Sequence, residues 1–321
     1  MTSTRRSVQL KHARRLFITR QRLAGPQPTP DRAGILETIR DLRCLQLDPT
    51  SAVARSHLIV LWSRLGSFDP LVLERLAYEE RVLFEFWAHQ ASLVLAEDFP
   101  IHQFAMRTDI KSDAAWRERT REWIAANPKL RDHILRELRK RGPLRAREIE
   151  DVSEAPWHSS GWTNERNVGR MLDLMSVQGK TLVSRREGGQ KLWDLGERCL
   201  PPKLDRKKLP AREVVRQATR LALRALGAAR LAHIREHFTR GRYPDLPDVL
   251  AKMTAKGEVV PLQVLDGKEA LKGDWYMNAE ELPLLESIED GWWEPRTTLL
   301  SPFDNLICGR DRTEEMFDFH F

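Results

Sequence analysis

The stretch NERNVGRMLDLMSVQGKTLVSRREGGQKLWDL, residues 164–195, predicts a helix followed by a two-stranded hairpin. Its first half repeats apolar side chains at the spacing of one helix face, and Gly179 is placed to end that helix. The glycine pair at 188–189 then separates two short β-forming runs, which is a hairpin signal. Upstream, residues 129–141 and LRAREIE (144–150) predict two further helices. Three helices followed by a hairpin are the pattern of a winged helix-turn-helix module.

A second copy of this order follows along the chain. Residues 211–226 predict a helix that ends at Gly227, and AARLAHIREHF (228–238) and LPDVLAKMTAKGE (246–258) predict two more. The segment 259–277 then gives a strand, an Asp-Gly turn and a strand. Repetition at this scale predicts a second winged-helix module.

The N-terminus carries a third and weaker copy. RSVQLKHARRLFITRQRL (6–23) and PDRAGILETIRDLRC (30–44) predict helices, with Asp31 as the N-cap of the second. The strand after them is CLQLDP (44–49), and residues 56–127 predict a helical bridge to the next copy. We therefore predict an α+β fold, mainly α, built from tandem winged helix-turn-helix modules.

The composition predicts a folded protein that is neither membrane-spanning nor secreted. Hydrophobic residues make up 41% of the 321 residues and charged residues 31%, so the chain can bury a core. No apolar run approaches the ~20 residues of a membrane helix, and the N-terminus has no signal-peptide core. Its basic, amphipathic start fits either a transit peptide or an ordinary first helix. The three cysteines are far apart and lack metal spacing, so we expect a reduced, cytoplasmic protein without metal or cofactor.

Basic residues are concentrated in parts of the chain. The net charge is +7, and residues 1–32 alone hold eight Lys or Arg against one acid. Residues 203–224 hold eight basic residues against two acids. Segregated charge on a folded chain suggests a polyanion partner, with nucleic acid as the first candidate. The alternative is a set of solvated helix faces.

Gln46 and Asp48 are the candidate catalytic residues. On a half-buried strand their side chains would share one face, with Leu45 and Leu47 on the other. An amide there can hold a water, and a carboxylate can activate that water or stabilise a cation. The alternative is structural: Asp-Pro is a common turn, so Asp48 would cap the chain after the strand and Gln46 would be an ordinary strand residue.

Three segments give the sequence a resemblance to a known enzyme family. They are LQLDPTSAVARSHLIVLWSRLG (45–66), EFWAHQASLVL (85–95) and TTLLSPFDNLICGRDRTEEMFDF (297–319). On these segments the sequence resembles the AlkZ/YcaQ-type winged-helix DNA glycosylases, which remove alkylated and crosslinked purines. The resemblance implies three winged helices in a C-shaped arrangement around a basic channel. It also implies an enzyme that acts on alkylated or crosslinked double-stranded DNA in the bacterial cytoplasm, and three different modules in one chain favour a monomer that wraps one duplex.

The family's catalytic motif is Gln-apolar-Asp or Gln-apolar-Gln, which falls here on Gln46, Leu47 and Asp48. The resemblance implies that Asp48 stabilises the oxocarbenium-like state and activates water, while Gln46 positions that water. The Asp-bearing branch is expected to accept N7-alkylguanines broadly, including interstrand crosslinks. In the family a strand usually follows the segment that ends here at Phe319. This sequence stops at Phe321, so we expect a truncated last module.

Domain boundaries and further site residues are assigned by position. The predicted domains are a first winged-helix module with the catalytic strand at 1–55, a helical bridge at 56–127, a second module at 128–200, a third at 208–280, and a C-terminal segment at 281–321 that packs on the catalytic module. The DNA-binding candidates are Arg55, Ser56, His57, His89, Arg166, Arg170, Arg185, Arg186, Arg310 and Arg312. A turn containing Ser301, Asp304 and Asn305 is expected to support the site. The alternatives are solvated faces and, for His89, a buried structural histidine.

Two other functions compete with a glycosylase. A non-enzymatic winged-helix regulator would contain the same modules, because fold alone does not set function. In addition, HIREH (233–237) places His233 and His237 one helical turn apart, as in a zinc protease with Glu236 as its base. That motif lies inside the repeated unit, and no further ligand motif accompanies it.

Overall fold

The chain forms an α+β structure in two compact units. The computed structural model describes residues 5–51, 53–108, 115–158, 166–239 and 241–320. About half of these residues are helical, and the strands form small sheets. The first unit comprises Met1–Leu73, Trp87–Leu95 and Leu209–Phe321, and the second unit comprises Glu74–Phe86 and Ala96–Lys208. The predicted α+β class is therefore confirmed, whereas the predicted domain boundaries and the count of three winged-helix modules stay predictions.

Helices occur in both units. They are α1 (Leu10–Arg20), α2 (Arg32–Leu42), α3 (Ser56–Leu65), α4 (Pro70–Glu74), α5 (Phe99–Thr108), α6 (Ala115–Ala126), α7 (Pro128–Arg141), α8 (Asn167–Val177), α9 (Gly196–Cys199), α10 (Ala211–Leu226), α11 (Leu231–Glu236), α12 (Leu246–Ala255), α13 (Leu282–Glu289) and α14 (Arg310–Phe317). A π-helical turn lies at Arg75–Glu79, and 3₁₀ turns lie at Ala96–Asp98, Ala146–Glu148 and Ala279–Glu281. Within the described ranges, no helix has the length and apolar character needed to cross a membrane.

The strands are short. They are β1 (Arg6–Gln9), β2 (Cys44–Gln46), β3 (Leu83–Trp87), β4 (Ala91–Leu95), β5 (Thr181–Glu187), β6 (Gln190–Leu195), β7 (Ala229–Arg230), β8 (Val259–Asp266), β9 (Glu269–Ala270) and β10 (Trp275–Asn278). Segment 56–127, predicted as a helical bridge, also contains the strands β3 and β4. Three of the five residues of β3 are aromatic and favour extended backbone over helix, and β4 pairs with β2.

The larger sheet of the first unit has the order β1-β8-β10-β7, with β9 paired to β8. β1 runs parallel to β8, from Arg6 opposite Leu262 to Gln9 opposite Leu265. The helix predicted from residue 6 is therefore wrong over its first four residues, because they pair with a distant strand. α1, α10 and α12 pack against this sheet, and Trp275 of β10 is wholly buried.

A second group of elements in the first unit positions the candidate catalytic strand. Asp31 caps α2 as predicted, since its carboxylate accepts a hydrogen bond from the Gly34 amide at 3.0 Å. A Cβ on Gly34 would lie 1.9 Å from the carbonyl oxygen of Thr29, so only glycine fits this first turn. α2 ends at Leu42, and the left-handed backbone of its C-cap Arg43 (φ 71°) turns the chain directly into β2.

The second unit contains the hairpin from which the fold prediction began. β5 and β6 pair from Thr181 opposite Leu195 to Glu187 opposite Gln190 and turn at the glycine pair, both in positive φ. The preceding elements are α7, the 3₁₀ turn at Ala146–Glu148 in place of the predicted short helix, and α8. The predicted start of that last helix at 164–165 lies outside the described residues. This order of elements agrees with the predicted order.

Candidate active site

Gln46 lies at the end of a strand that is buried on both faces. β2 pairs antiparallel with β4, with Gln46 opposite Ser92, and all three residues of β2 are buried. The Leu47 amide donates to the Ala91 carbonyl at 2.7 Å and extends the ladder by one bond. The prediction of a half-buried strand that carries both candidates on one face is therefore wrong. β2 is covered on both faces and ends before Asp48.

Asp48 lies in the turn that follows this strand. Its Oδ1 accepts a hydrogen bond from the Thr50 amide at 2.8 Å, and its side chain is half-buried. The turn proposed as the structural alternative is thus present. It uses one carboxylate oxygen, and Oδ2 accepts no hydrogen bond from the described part of the chain. The carboxylate can therefore receive a ligand or a water while the turn holds it in place.

His89 contacts the Gln46 side chain. It lies in the short connection between β3 and β4, where the Ala88 amide donates to the Gln90 carbonyl at 2.9 Å. Its Nε2 is 3.0 Å from Oε1 of Gln46, and its Nδ1 is 3.5 Å from Sγ of Cys44. The residue predicted as a DNA contact is therefore placed beside the candidate catalytic amide.

The predicted support turn packs directly on β2 and α3. Nδ2 of Asn305 donates to the carbonyl oxygens of Leu42 at 3.3 Å and Cys44 at 3.1 Å. The hydroxyls of Ser301 and Ser56 are 2.8 Å apart, and both residues are buried. Ser56, predicted as a DNA contact, is thus engaged inside the protein. These bonds fix the position of the strand that carries Gln46.

A buried ion pair anchors the same turn. The guanidinium of Arg64, in the last turn of α3, contacts both carboxylate oxygens of Asp304, with Nη2 2.8 Å from Oδ1. Both side chains have no solvent exposure. Sequence reasoning missed Arg64, although one cation inside the apolar run of α3 was a usable signal. Burial of such a charge requires a partner, and Asp304 supplies it.

Replacement of Asn305 by alanine is expected to destabilise the first unit by about 1–3 kcal/mol, because two buried carbonyls lose their donor. Urea unfolding followed by tryptophan fluorescence measures this loss. Asn305→Asp is a stricter test, because it keeps the size of the side chain but removes the donor group. An unchanged urea midpoint in both variants would contradict the support role.

The comparison with known families decides the identity of the chain. The DNA glycosylase AlkZ-like family matches residues 39–321. The chain belongs to this family of DNA glycosylases. The match includes all three segments that carried the resemblance, and the predicted family is confirmed.

The AlkZ-like fold extends over nearly the whole chain. The solved structure of the Streptomyces sahachiroi DNA glycosylase AlkZ is similar to 96% of this chain and to 82% of its own chain. The TM-score is 0.65 and the sequence identity is 14%. At this low identity the likeness establishes the fold.

Other DNA-contact candidates of this AlkZ-like chain lie in the first unit. Arg55 precedes α3 and His57 lies in its first turn, and both are half-buried. Arg310 begins α14 and is exposed. Arg312 is only 4% exposed, and its Nη2 donates to the Asn305 carbonyl at 2.8 Å. Its geometry favours a structural role over a phosphate contact, because the guanidinium is used inside the protein.

The remaining candidates lie in the second unit. Arg166 is exposed just before α8, and Arg185 forms an ion pair with Glu187. The guanidinium of Arg170 lies 4.4 Å from the ring centroid of Trp157. Arg186 donates to both oxygens of the buried Glu85, at 2.6 and 2.7 Å. The geometry favours packing roles for Arg170 and Arg186, whereas Arg166 and Arg185 are exposed and stay candidates for phosphate contact.

The HIREH motif is engaged in internal contacts. Nε2 of His233 is 3.2 Å from a carboxylate oxygen of Glu315, which also pairs with Arg230. His237 is buried, and burial lowers its pKa well below the ordinary value. Among the described residues, no group of three or more His, Cys, Asp or Glu side chains is arranged to hold a metal ion.

Burial of His237 as the neutral base predicts acid sensitivity of the first unit. Below the ordinary pKa of 6.5 the unfolded chain takes up a proton that the folded chain refuses. The free energy of unfolding therefore decreases as the pH is lowered, by at most ~1.4 kcal/mol per pH unit for this group. We expect His237→Gln to lose less stability than wild type between about pH 7.5 and 5.5 in urea titrations. His158→Gln, at an exposed position, is the control, and equal acid sensitivity of the two variants would contradict the assignment.

Proposed function

We propose that this chain is a DNA glycosylase that hydrolyses the N-glycosidic bond of N7-alkylated purines in duplex DNA. Family membership supports DNA glycosylase activity, and the geometry at the end of β2 supports Gln46 and Asp48 as its catalytic residues. The observation that carries the proposal is the pairing of a fixed amide with an available carboxylate at the end of β2. Gln46 is held by the ladder and by His89, and among the described residues none donates to the second carboxylate oxygen of Asp48.

The chemistry suits these two groups. Breaking the bond between sugar and base builds positive charge on the sugar. An N7-alkylated guanine already carries positive charge, so it leaves without a strong acid. The enzyme then needs an anion near the sugar and a positioned water, and we assign the first role to Asp48 and the second to Gln46. A preorganised electrostatic contact of this kind lowers the activation free energy by about 3–4 kcal/mol.

The same reaction extends to interstrand crosslinks. In a crosslink formed by a bifunctional alkylator each linked guanine is itself an N7-alkylguanine. Hydrolysis of one N-glycosidic bond releases that base from its strand, while the base stays attached to the opposite strand. No additional catalytic group is needed, so we include crosslink unhooking in the proposed activity.

DNA binding is assigned to exposed and half-buried basic residues. We propose Arg55, His57 and Arg310 in the first unit and Arg166 and Arg185 in the second as phosphate ligands, within three winged-helix modules. Phosphate contacts release counterions, so the affinity for duplex DNA is expected to fall steeply with salt and to depend little on sequence. We propose that the chain binds as a monomer, because three different modules favour wrapping of one duplex over symmetric dimerisation.

The deciding experiment is single-turnover excision from a duplex that contains one N7-methylguanine, with an unmodified duplex and a no-enzyme reaction as controls. Abasic product above the spontaneous rate supports the proposal. A second reaction uses a nitrogen-mustard crosslink and detects separation of the strands. Salt-sensitive binding without product on either substrate would support a non-enzymatic DNA-binding protein and overturn the enzymatic proposal.

A further inference from the structure

A chain of polar contacts leads from the support turn to the candidate catalytic amide. Nδ2 of Asn305 lies 3.8 Å from Sγ of Cys44. That sulfur lies 3.5 Å from Nδ1 of His89, and Nε2 of the same ring lies 3.0 Å from Oε1 of Gln46. All four residues belong to the first unit, and Asn305, Cys44 and Gln46 are buried.

The direction of these hydrogen bonds follows from the groups at the two ends. The Asn305 amide nitrogen can only donate, so it approaches the sulfur of Cys44 as an acceptor. The thiol hydrogen is then left for the imidazole Nδ1. Burial raises the pKa of the Cys44 thiol well above its ordinary value, so the group stays protonated and able to donate. At the far end, the carbonyl oxygen of Gln46 can only accept.

We propose that Cys44 and His89 form a hydrogen-bond relay that sets the orientation of the Gln46 side-chain amide. In the relay the Cys44 thiol donates to Nδ1 of His89, which places the ring proton on Nε2, and Nε2–H donates to Oε1 of Gln46. Cys44 and His89 are thus positioning residues that act through Gln46. A neutral imidazole has one N–H donor, and its tautomer is set by the bond at the other nitrogen.

The relay determines which end of the amide meets a water. With Oε1 held by His89, the NH₂ group of Gln46 is the end available to a ligand. A water that accepts from this group keeps both of its hydrogens for other acceptors, and the relay model assigns the Asp48 carboxylate as one of these acceptors. A flipped amide would present its oxygen instead and would compete for a water hydrogen. This catalytic consequence rests on the proposed glycosylase function, whereas the tautomer of His89 does not.

The tautomer can be read without any activity assay. Long-range ¹H–¹⁵N spectra of ¹⁵N-histidine-labelled wild type at about pH 8 distinguish a protonated from an unprotonated ring nitrogen. The His89→Gln variant identifies the His89 signals by their loss. We expect an unprotonated Nδ1 and a protonated Nε2 on His89. A proton on Nδ1, alone or together with one on Nε2, would overturn the relay.

Paired variants test the effect on excision. Cys44→Ala removes the donor and is expected to slow single-turnover excision about tenfold with an unchanged Kd for the duplex. Cys44→Ser keeps a donor and is expected to slow it less. His89→Leu is expected to lose at least as much as Cys44→Ala, and His89→Gln to recover part of that loss, because its amide can still donate to Gln46.

The outcomes separate the relay from the enzymatic proposal. If wild type excises and Cys44→Ala and His89→Leu excise at the same rate as wild type, the relay is overturned while the glycosylase stands. If wild type does not excise, the enzymatic proposal fails, and the ¹⁵N spectrum alone decides the tautomer. Equal slowing by Cys44→Ser and Cys44→Ala would also count against the relay, because a packing defect would not distinguish a hydroxyl from a methyl group.

Discussion

Asp48→Asn is expected to slow single-turnover excision of N7-methylguanine by at least ~100-fold, with little change in the Kd for the duplex. Asparagine has nearly the shape of aspartate and keeps the turn, since its side-chain oxygen can still accept from the Thr50 amide. The variant therefore removes only the negative charge and the basic oxygen. If that charge stabilises the cationic transition state, the rate falls while binding to phosphates is unaffected.

The chain supplies a matched control for this variant. Asp69 also precedes a proline, and its Oδ1 accepts from the Leu71 amide at 2.9 Å, as Oδ1 of Asp48 does from Thr50. Asp69→Asn thus makes the same chemical change in the same kind of turn, outside the Gln46–Asp48 motif. We expect it to keep wild-type excision. Equal rates in Asp48→Asn and Asp69→Asn would mean that Asp48 is only a turn residue.

Local patterns made much of the secondary structure predictable. The glycine pair at 188–189 and the apolar periodicity of α8 are short-range signals, and both elements form where the sequence places them. β1 could not be predicted, because Arg6 pairs with Leu262 and nothing near residue 6 records that partner. The helical pattern of the following residues extended over β1 and hid it.

The candidate site was predictable as a motif but not as a geometry. The sequence placed Gln46 and Asp48 two residues apart and led to a shared strand face. The structure instead uses β2 as a buried support and places Asp48 in a turn. The contact between His89 and Gln46 joins residues far apart in sequence, so no spacing rule could indicate it. The position of Arg64 inside the apolar run of α3 was a signal of its burial, but its partner Asp304 is far away in the sequence and could not be inferred from spacing.

The largest effect on stability is expected from Asp304→Asn, which leaves the Arg64 guanidinium buried without a counter-charge. Removal of one partner of a buried ion pair typically costs about 3–5 kcal/mol. Arg296 adds to this cost, because burial and, after it, the nearby Arg64 charge lower the pKa of its guanidinium. The asparagine can still accept from the Leu306 amide at the position of Oδ1, so the loss measures the charge and not the turn. Urea unfolding of wild type and variant gives the difference.

Two comparisons make this prediction specific to the buried pair. Asp274→Asn breaks the ion pair between Asp274 and Arg5, and both side chains of this pair are about half exposed. We expect this change to lower the free energy of unfolding by at most ~1 kcal/mol. The double variant Arg64→Met/Asp304→Asn is expected to be less destabilised than the sum of its single changes, because it removes the uncompensated charge itself. Additive losses would show that Arg64 and Asp304 contribute independently. Since the Asp304 turn also holds the strand of Gln46, Asp304→Asn should lower the excision rate at temperatures where the protein is still folded.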